Sequence, residues 1–462
     1  MKREKPELVH FVSLGCDKNL VDSEVMLARL WDKGYRFTDD EEAADIAVVN
    51  TCCFVHDAQM ESIETIIKLG KLKESSRCRA LVVAGCLAER YRNEINNELP
   101  EVDALVGVNA ISAIITAVME KSETGCRHYF PDTGDINDEE TPKRIITTGG
   151  YYTYLKIAEG CNKHCTFCII PKIRGHYRSR TMESLLTESV NLVAGGVKEL
   201  ILVAQETTIY GTDIHGQKML PQLLRKLCEI EGLKWIRLLY CYPEEIDDDL
   251  IAAIRDEEKI CKYLDIPIQH GADRILKQMG RQTDREAINN LVMKLRQEVP
   301  GICLRTTLMT GFPGEKVSEH RVNLGLVKEL CFDRLGVFAY SAEADTPAAR
   351  FHGQVSNRVK EYRRKQLMKA QQKVAFNINK SLIDRKMTVF VEGTLNPEHE
   401  SPPLPFVPME DEKIYVARTY RDAPQIDGYL FFPSNREYES GDFAEVTVIA
   451  AQGYDLIGKE LT

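Results

Sequence analysis

Apolar residues near the start of the chain fall in short runs set between longer stretches of helical period. HFVSLG (10–15), IAVVNTC (46–52) and ALVVAGC (80–86) each fit one buried strand, and VDSEVMLARLWDKG repeats its apolar side chains every three or four positions. Strands apolar on both faces, alternating with helices, make a parallel sheet covered on both sides, so a doubly wound α/β domain is expected over 7–122. From 151 to about 345 the alternation resumes, with strand-like runs YTYLKIA (152–158), ELILVA (199–204), WIRLLYC (235–241), YLDIPI (263–268), ICLRTTLM (302–309) and LGVFAY (335–340). Six units fall short of a closed eight-stranded barrel, which predicts an incomplete (β/α)6 barrel in a core spanning 147–376. Beyond it KMTVFVEG, KIYVARTY, DGYLFF and DFAEVTVIAA are short β-rich runs split by turn residues, as in a small β-barrel over 379–462.

Between these regions the pattern lapses. Residues 121–148 mix charge, Gly and Pro without apolar period and read as a linker. NPEHESPPLPFVPMEDE (396–412) interrupts the last β pattern, and its prolines exclude a central strand. NRVKEYRRKQLMKAQQKVAF (357–376) is a helix with a basic face.

Composition narrows the classes. With 44% hydrophobic and 28% charged residues in 462, the chain reads as a globular protein of about three domains. A net charge of −10 argues against a generic nucleic-acid coat, because phosphate binding runs on Lys and Arg. No apolar run reaches signal or membrane-span length, so a cytoplasmic location without membrane contact is expected. In that reducing compartment fourteen cysteines point to metal or catalysis rather than to disulfides.

The cysteines carry the chemistry. Cys161, Cys165 and Cys168 in EGCNKHCTFCII have CxxxCxxC spacing, flanked by Gly160, Asn162 and Lys163 rather than by an apolar period. Four thiolates normally hold a cubane iron-sulfur cluster, so three in one loop suggest a cluster with one iron open to a ligand. A tetrahedral zinc site with His164 as fourth ligand is the competing reading. Cys16, Cys52 and Cys86 each follow an N-terminal strand, and open parallel sheets bind ligands at those carboxyl ends, so the three are expected to meet at a second metal site. Cys53 points elsewhere and packs, as do Cys78, Cys126, Cys228, Cys241, Cys261, Cys303 and Cys331. In the core, Gln205, Glu206, Gln269, His270 and Thr310 with the turn GFPGE (311–315) end strands at the face where barrel active sites lie.

The settings SLGCDKN, NTCCF and AGCLAERY, with CTFCIIPKIRGHYRSR including Pro171, Arg174, Gly175, Arg178 and Arg180, resemble the methylthiotransferase family of radical S-adenosylmethionine enzymes over nearly the whole chain. The resemblance implies a radical-type barrel and a terminal TRAM barrel. It also implies two [4Fe-4S] clusters, one on Cys161, Cys165 and Cys168 and an auxiliary one on Cys16, Cys52 and Cys86. One S-adenosylmethionine would supply a methyl group and a second a 5'-deoxyadenosyl radical. On this reading Glu206, Gln269, Thr310 and Gly311 contact S-adenosylmethionine, and the clusters rather than any side chain carry the chemistry. An external sulfur source and an electron donor of the flavodoxin or ferredoxin class are further implications. SLGCDKNLVDSE (13–24) is similar to the branch that modifies an aspartate of small-subunit ribosomal protein S-twelve, although Asp17 stands where that pattern has Pro. From Lys380 onward the chain has 8 Lys and Arg against 15 Asp and Glu, which suits a basic protein ligand better than RNA. Modification of a transfer-RNA adenosine is the alternative substrate, and a zinc-bound scaffold the alternative class.

Overall fold

The computed structural model describes residues 6–120, 125–131, 142–395 and 412–461. In the N-terminal domain a six-stranded parallel sheet runs in the order Arg36–Phe37, Leu8–Ser13, Ile46–Thr51, Ala80–Gly85, Ala104–Val106, Arg127–Tyr129. Successive residues of the central strands alternate between two cores. Ala47, Val49, Leu81 and Val83 pack under the helix His56–Ser75 through Ile66 and Leu69, while Ile46, Val48, Ala80 and Val82 face Met26, Leu30 and Ile114. The sheet is therefore doubly wound, as its continuous apolar runs predict. Strand order reverses at Leu8–Ser13 and Ile46–Thr51, the switch point where crevices open in such sheets. One expectation needs correction: Arg127–Tyr129 lies in the stretch read as linker and past the boundary at 122, yet it pairs with Ala104–Val106 as the sixth strand. An edge strand this short has no room for an apolar period.

The central sheet is parallel and in sequence order: Tyr152–Lys156, Glu199–Val203, Trp235–Leu238, Ile260–Gln269, Cys303–Thr310, Arg334–Ala339. Its first and last strands do not pair, so the barrel stays partial. The helix Asn357–Ser381 runs unbroken past 376 and packs on the last two strands. Five strands, Lys386–Thr394, Lys413–Thr419, Leu430–Ser434, Phe443–Gln452 and Asp455–Glu460, then close a small barrel. The stretch 396–412 falls outside the described residues except Glu412.

The terminal barrel is fastened to the amino ends of the central strands. Arg418 and Arg237 both donate to buried Glu199, at 2.7 and 2.8 Å, and Phe390 packs against Trp235. Arg334 reaches Asp422 at 2.6 Å, and Tyr263 donates to Asp427 at 2.8 Å. The N-terminal domain lies against the carboxyl ends, with Asp17 at Tyr240 and Arg90 at Glu343. Among the described residues no helix is long and apolar enough to cross a membrane.

Candidate active site between two cysteine groups

Cys16, Cys52 and Cys86 each sit one to three residues beyond a strand. Cys16 caps the helix Asp17–Asp32, Cys52 follows Thr51, and Cys86 opens the helix Cys86–Arg90. Cys16 and Cys52 flank the switch point, and a methyl group built on Gly15 would lie 2.7 Å from Cys52 Cβ. Gly85 has φ +91°, and a Cβ there would meet the Asn50 side chain and, at 2.6 Å, the Thr51 carbonyl. Only glycine fits this turn, which aims Cys86 at the other two thiols. Burial lifts the Cys86 thiol to about 11 against the pull of Arg174, and charge on Cys16 and Cys52 adds to the rise. Burial likewise raises Cys52, with Cys16 contributing. Cys53 turns away, donating to the Cys86 carbonyl at 3.2 Å inside the apolar core.

The second group hangs on one clamped loop. Ala158–Glu159 pairs antiparallel with Arg178–Ser179, closing the segment between them. Gly160, at φ +80°, has no space for a side chain because the carbonyls of His176 and Gly175 crowd it. The Cys161 amide donates to the Gly175 carbonyl at 3.2 Å, Cys168 to Cys165 at 3.0 Å, and Thr166 to Met279 at 2.9 Å. Burial raises Cys161 to about 11 and Cys168 to about 12, with neighbouring thiols adding to both. All fourteen cysteines are free thiols.

The two groups face each other across a strand end. Tyr240, held at φ +60°, turns its hydroxyl to Asp17 at 3.2 Å, and the Lys18 ammonium lies 3.3 Å from its ring centre, beside Cys16. Two residues on, Tyr242 Oη stands 3.8 Å from Cys165 Sγ, and the Arg281 guanidinium stacks on its ring. A non-glycine residue with positive φ stores strain that only a constrained site sustains.

Arg174, six residues after Cys168, ties the groups together. Its guanidinium donates to Asp22 at 2.9 Å, Glu159 at 3.0 Å, Asn19 at 3.3 Å and Cys86 Sγ at 3.3 Å. Lys156 pairs with the same two carboxylates, and Gln205 donates to Glu159 at 2.6 Å. Burial disfavours charge on Arg174, but Cys86, Glu159 and Asp22 outweigh it and keep the group ionised.

The strand-end residues divide. Glu206 is fully buried near Cys161 and Tyr242; burial raises its carboxyl to about 7, Thr208 donates to one oxygen, and Oε2 has no partner. Gln269 ends its strand at φ +72°. Thr310 and Gly311 turn their polar groups elsewhere, the hydroxyl to the Lys360 carbonyl at 3.2 Å and the amide to Glu315. His270 accepts from the Ala272 amide and faces buried Glu315 at 3.6 Å. Sequence reading missed Tyr240, Tyr242 and Arg281, and it quoted Arg174 only as part of a motif.

Among the described residues no three Cys, His, Asp or Glu side chains converge as ligands of one ion do. His164, the fourth ligand a zinc site would need, is exposed. The thiols of both sets are free and most are buried, the donor type that iron-sulfur clusters take.

Comparison with known proteins shows the family. The Radical SAM superfamily profile matches residues 155–323, the TRAM domain 406–460, and uncharacterized protein family UPF0004 residues 8–107. A ribosomal protein uS12 methylthiotransferase RimO from Lachnoclostridium phytofermentans is 54% identical over 451 residues, covering 97% of this chain and 99% of that protein. Its counterpart from Geobacter sulfurreducens is 47% identical over 454 residues, covering 98% of each. Among solved structures, the radical S-adenosylmethionine methyltransferase TsrM from Kitasatospora setae, with cobalamin and a [4Fe-4S] cluster bound, has a TM-score of 0.52 at 16% identity. It covers 74% of this chain and 77% of its own, a likeness of fold alone.

Proposed function

The chain belongs to the family of ribosomal protein uS12 methylthiotransferases within the radical S-adenosylmethionine superfamily, and from that premise we propose that it inserts a methylthio group at the β-carbon of an aspartate of uS12. The observation that carries this reading is the meeting of two cysteine triads from different domains, bridged by Arg174 and the Tyr240–Tyr242 strand end. Cys161, Cys165 and Cys168 would hold one [4Fe-4S] cluster, and Cys16, Cys52 and Cys86 a second. When bound, these groups supply the electron that cleaves S-adenosylmethionine and the sulfur that is transferred. Two S-adenosylmethionine molecules, an electron donor of the flavodoxin or ferredoxin class and an outside sulfur source complete the reaction.

The chain's own residues hold and orient. Glu206, with one oxygen unpartnered beside the radical-type loop, accepts from the amino group of S-adenosylmethionine. Gln269 lines the same end of the sheet. Thr310 and Gly311 act one step back, fixing the GFPGE turn on the helix Asn357–Ser381. Arg281 and Tyr242 cover Cys165 and keep water from it. An excess of seven negative charges from Lys380 onward favours a basic protein over transfer RNA.

Anaerobic analysis tests the reading: about eight irons and eight sulfides per chain are expected from two cubanes, and zinc without sulfide refutes it. Cys161→Ala, Cys165→Ala or Cys168→Ala abolishes S-adenosylmethionine cleavage. Cys16→Ala, Cys52→Ala or Cys86→Ala spares some cleavage and loses methylthio transfer; transfer left intact refutes the second ligand set.

A further inference from the structure

The helix Asn357–Ser381 carries eight Lys and Arg against one acid, a net +7 inside a chain of net −10. That acid, Glu361, is bonded to Arg364 at 2.8 Å, so it neutralises nothing else. Lys360 and Arg363 are buried on the inner face with Leu367, Gln371 and Ala375. The other cations form a separate set. Arg358, Lys365, Lys369, Lys373 and Lys380 are all exposed, and none has an ion-pair or hydrogen-bond partner for its side chain among the described residues. At 100° per residue, positions 358, 365, 369, 373 and 380 fall within an arc of about 80° and span about 33 Å of helix axis. Exposed Tyr362 lies inside the same arc.

The row has a fixed place in the fold. Its first turn is held at the carboxyl face of the central sheet, where Thr310 donates to the Lys360 carbonyl and Arg363 donates to the Glu315 carbonyl at 3.1 Å. Its far end reaches the terminal barrel, where Asn379 donates to the Gly453 carbonyl at 3.1 Å. The cations thus run along the flank of the molecule from the rim of the candidate site to the last domain.

We infer that this face binds RNA phosphates of the small ribosomal subunit, so that the enzyme works on uS12 already assembled with RNA. The inference rests on uS12 as the substrate, since a ribosomal protein in place is surrounded by RNA. Lys is depleted at protein interfaces, whereas a line of hydrated ammonium groups with one aromatic among them suits a phosphate backbone. A lipid surface fits less well: an interfacial helix needs an apolar face free to enter the bilayer, and here the opposite face is buried in the protein. The acidic terminal barrel and this cationic helix then address the two components of one particle, basic protein and RNA.

The triple variant Lys365→Glu, Lys369→Glu, Lys373→Glu tests it in the cluster-loaded full chain, with iron content and circular dichroism confirming an unchanged fold. Methylthiolation of isolated uS12 and of intact small subunits is followed by mass spectrometry, and binding of purified small-subunit RNA by anisotropy between 50 and 200 mM salt. The expected result is a loss of at least about tenfold in kcat/KM on subunits with isolated uS12 unchanged, and a fall of about 2 to 3 in the salt slope of RNA binding. Equal effects on both substrates, or no effect on either, overturn the inference. So does binding of anionic phosphatidylglycerol vesicles in place of RNA. If the wild type modifies uS12 in neither form, the functional reading fails separately. RNA binding then decides the inference alone: its loss in the variant supports it, and wild-type indifference to RNA refutes it.

Discussion

Arg174→Ala removes the guanidinium that joins the N-terminal domain to the central sheet. Four acceptors lose their donor: Asp22, Asn19 and Cys86 on one side, Glu159 on the other. Taking one partner from a buried ion pair costs about 3 to 5 kcal/mol, because the remaining charge stays desolvated. Lys156 still reaches both Asp22 and Glu159, so the lower end, about 3 kcal/mol, applies. That corresponds to roughly a 150-fold rise in the population with the two domains parted. Cleavage in the 142–150 segment by a low concentration of protease reads this population when opening is fast relative to cutting. The wild-type and variant apo-proteins, thiols reduced, are compared at neutral pH. Arg174→Lys, which keeps a charge for the carboxylates but loses the forked geometry, falls between them. A cleavage rate for Arg174→Ala within threefold of the wild type would refute the bridging role.

Three further outcomes are expected. Gly85→Ala displaces Cys86 and removes about four of eight irons while S-adenosylmethionine cleavage survives, whereas Gly160→Ala removes the other four and abolishes cleavage; iron analysis and 5'-deoxyadenosine assays distinguish the pair. Burial raises the folded-state carboxyl of Glu206 to about 7, so the stability it contributes is complete below the ordinary carboxyl range near 4.5 and is lost as pH rises through 7. In the apo-protein Glu206→Gln should therefore melt above the wild type at pH 8 and level with it at pH 4.5, and equal melting at both values contradicts the shift. Burial opposes the charge of Glu199, but Arg418 and Arg237 hold its pKa below the ordinary value; its contribution is present above about 4.5 and lost as pH falls through the depressed value. Glu199→Gln leaves two buried guanidinium groups and costs about 3 kcal/mol or more, read as release of the terminal barrel to protease at pH 7.

The strands were legible where burial is two-sided and the run long. Ile46–Thr51, Ala80–Gly85 and Glu199–Val203 are near-continuous apolar runs buried at every position, and the other central strands keep enough apolar residues between their polar ones to stand out from the helices around them. Arg36–Phe37, Ala104–Val106 and Arg127–Tyr129 were not, because strands of two or three residues take their place from a partner rather than from their own period. Sequence reading singled out both cysteine groups, one from local spacing and the other from the coincidence of Cys with strand ends. Arg174 was not readable as a hub: Asp22, Asn19 and Cys86 lie 152, 155 and 88 residues away in sequence, and nothing local marks the convergence. Nor does any residue pattern announce the left-handed backbone of Tyr240, which tertiary packing imposes.

The seating of the terminal barrel changes how deletion experiments should be interpreted. Its Thr419–Asp427 segment acts as a stopper in the base of the catalytic domain, supplying Asp422 for Arg334, Asp427 for Tyr263 and the Tyr420 carbonyl for Arg237. A truncated protein lacking this barrel leaves those buried donors without their acceptors and bares the base of the catalytic domain to water. Inactivity after such a deletion therefore reports a damaged vessel, and point changes on the outer barrel surface are the cleaner way to ask which substrate it greets.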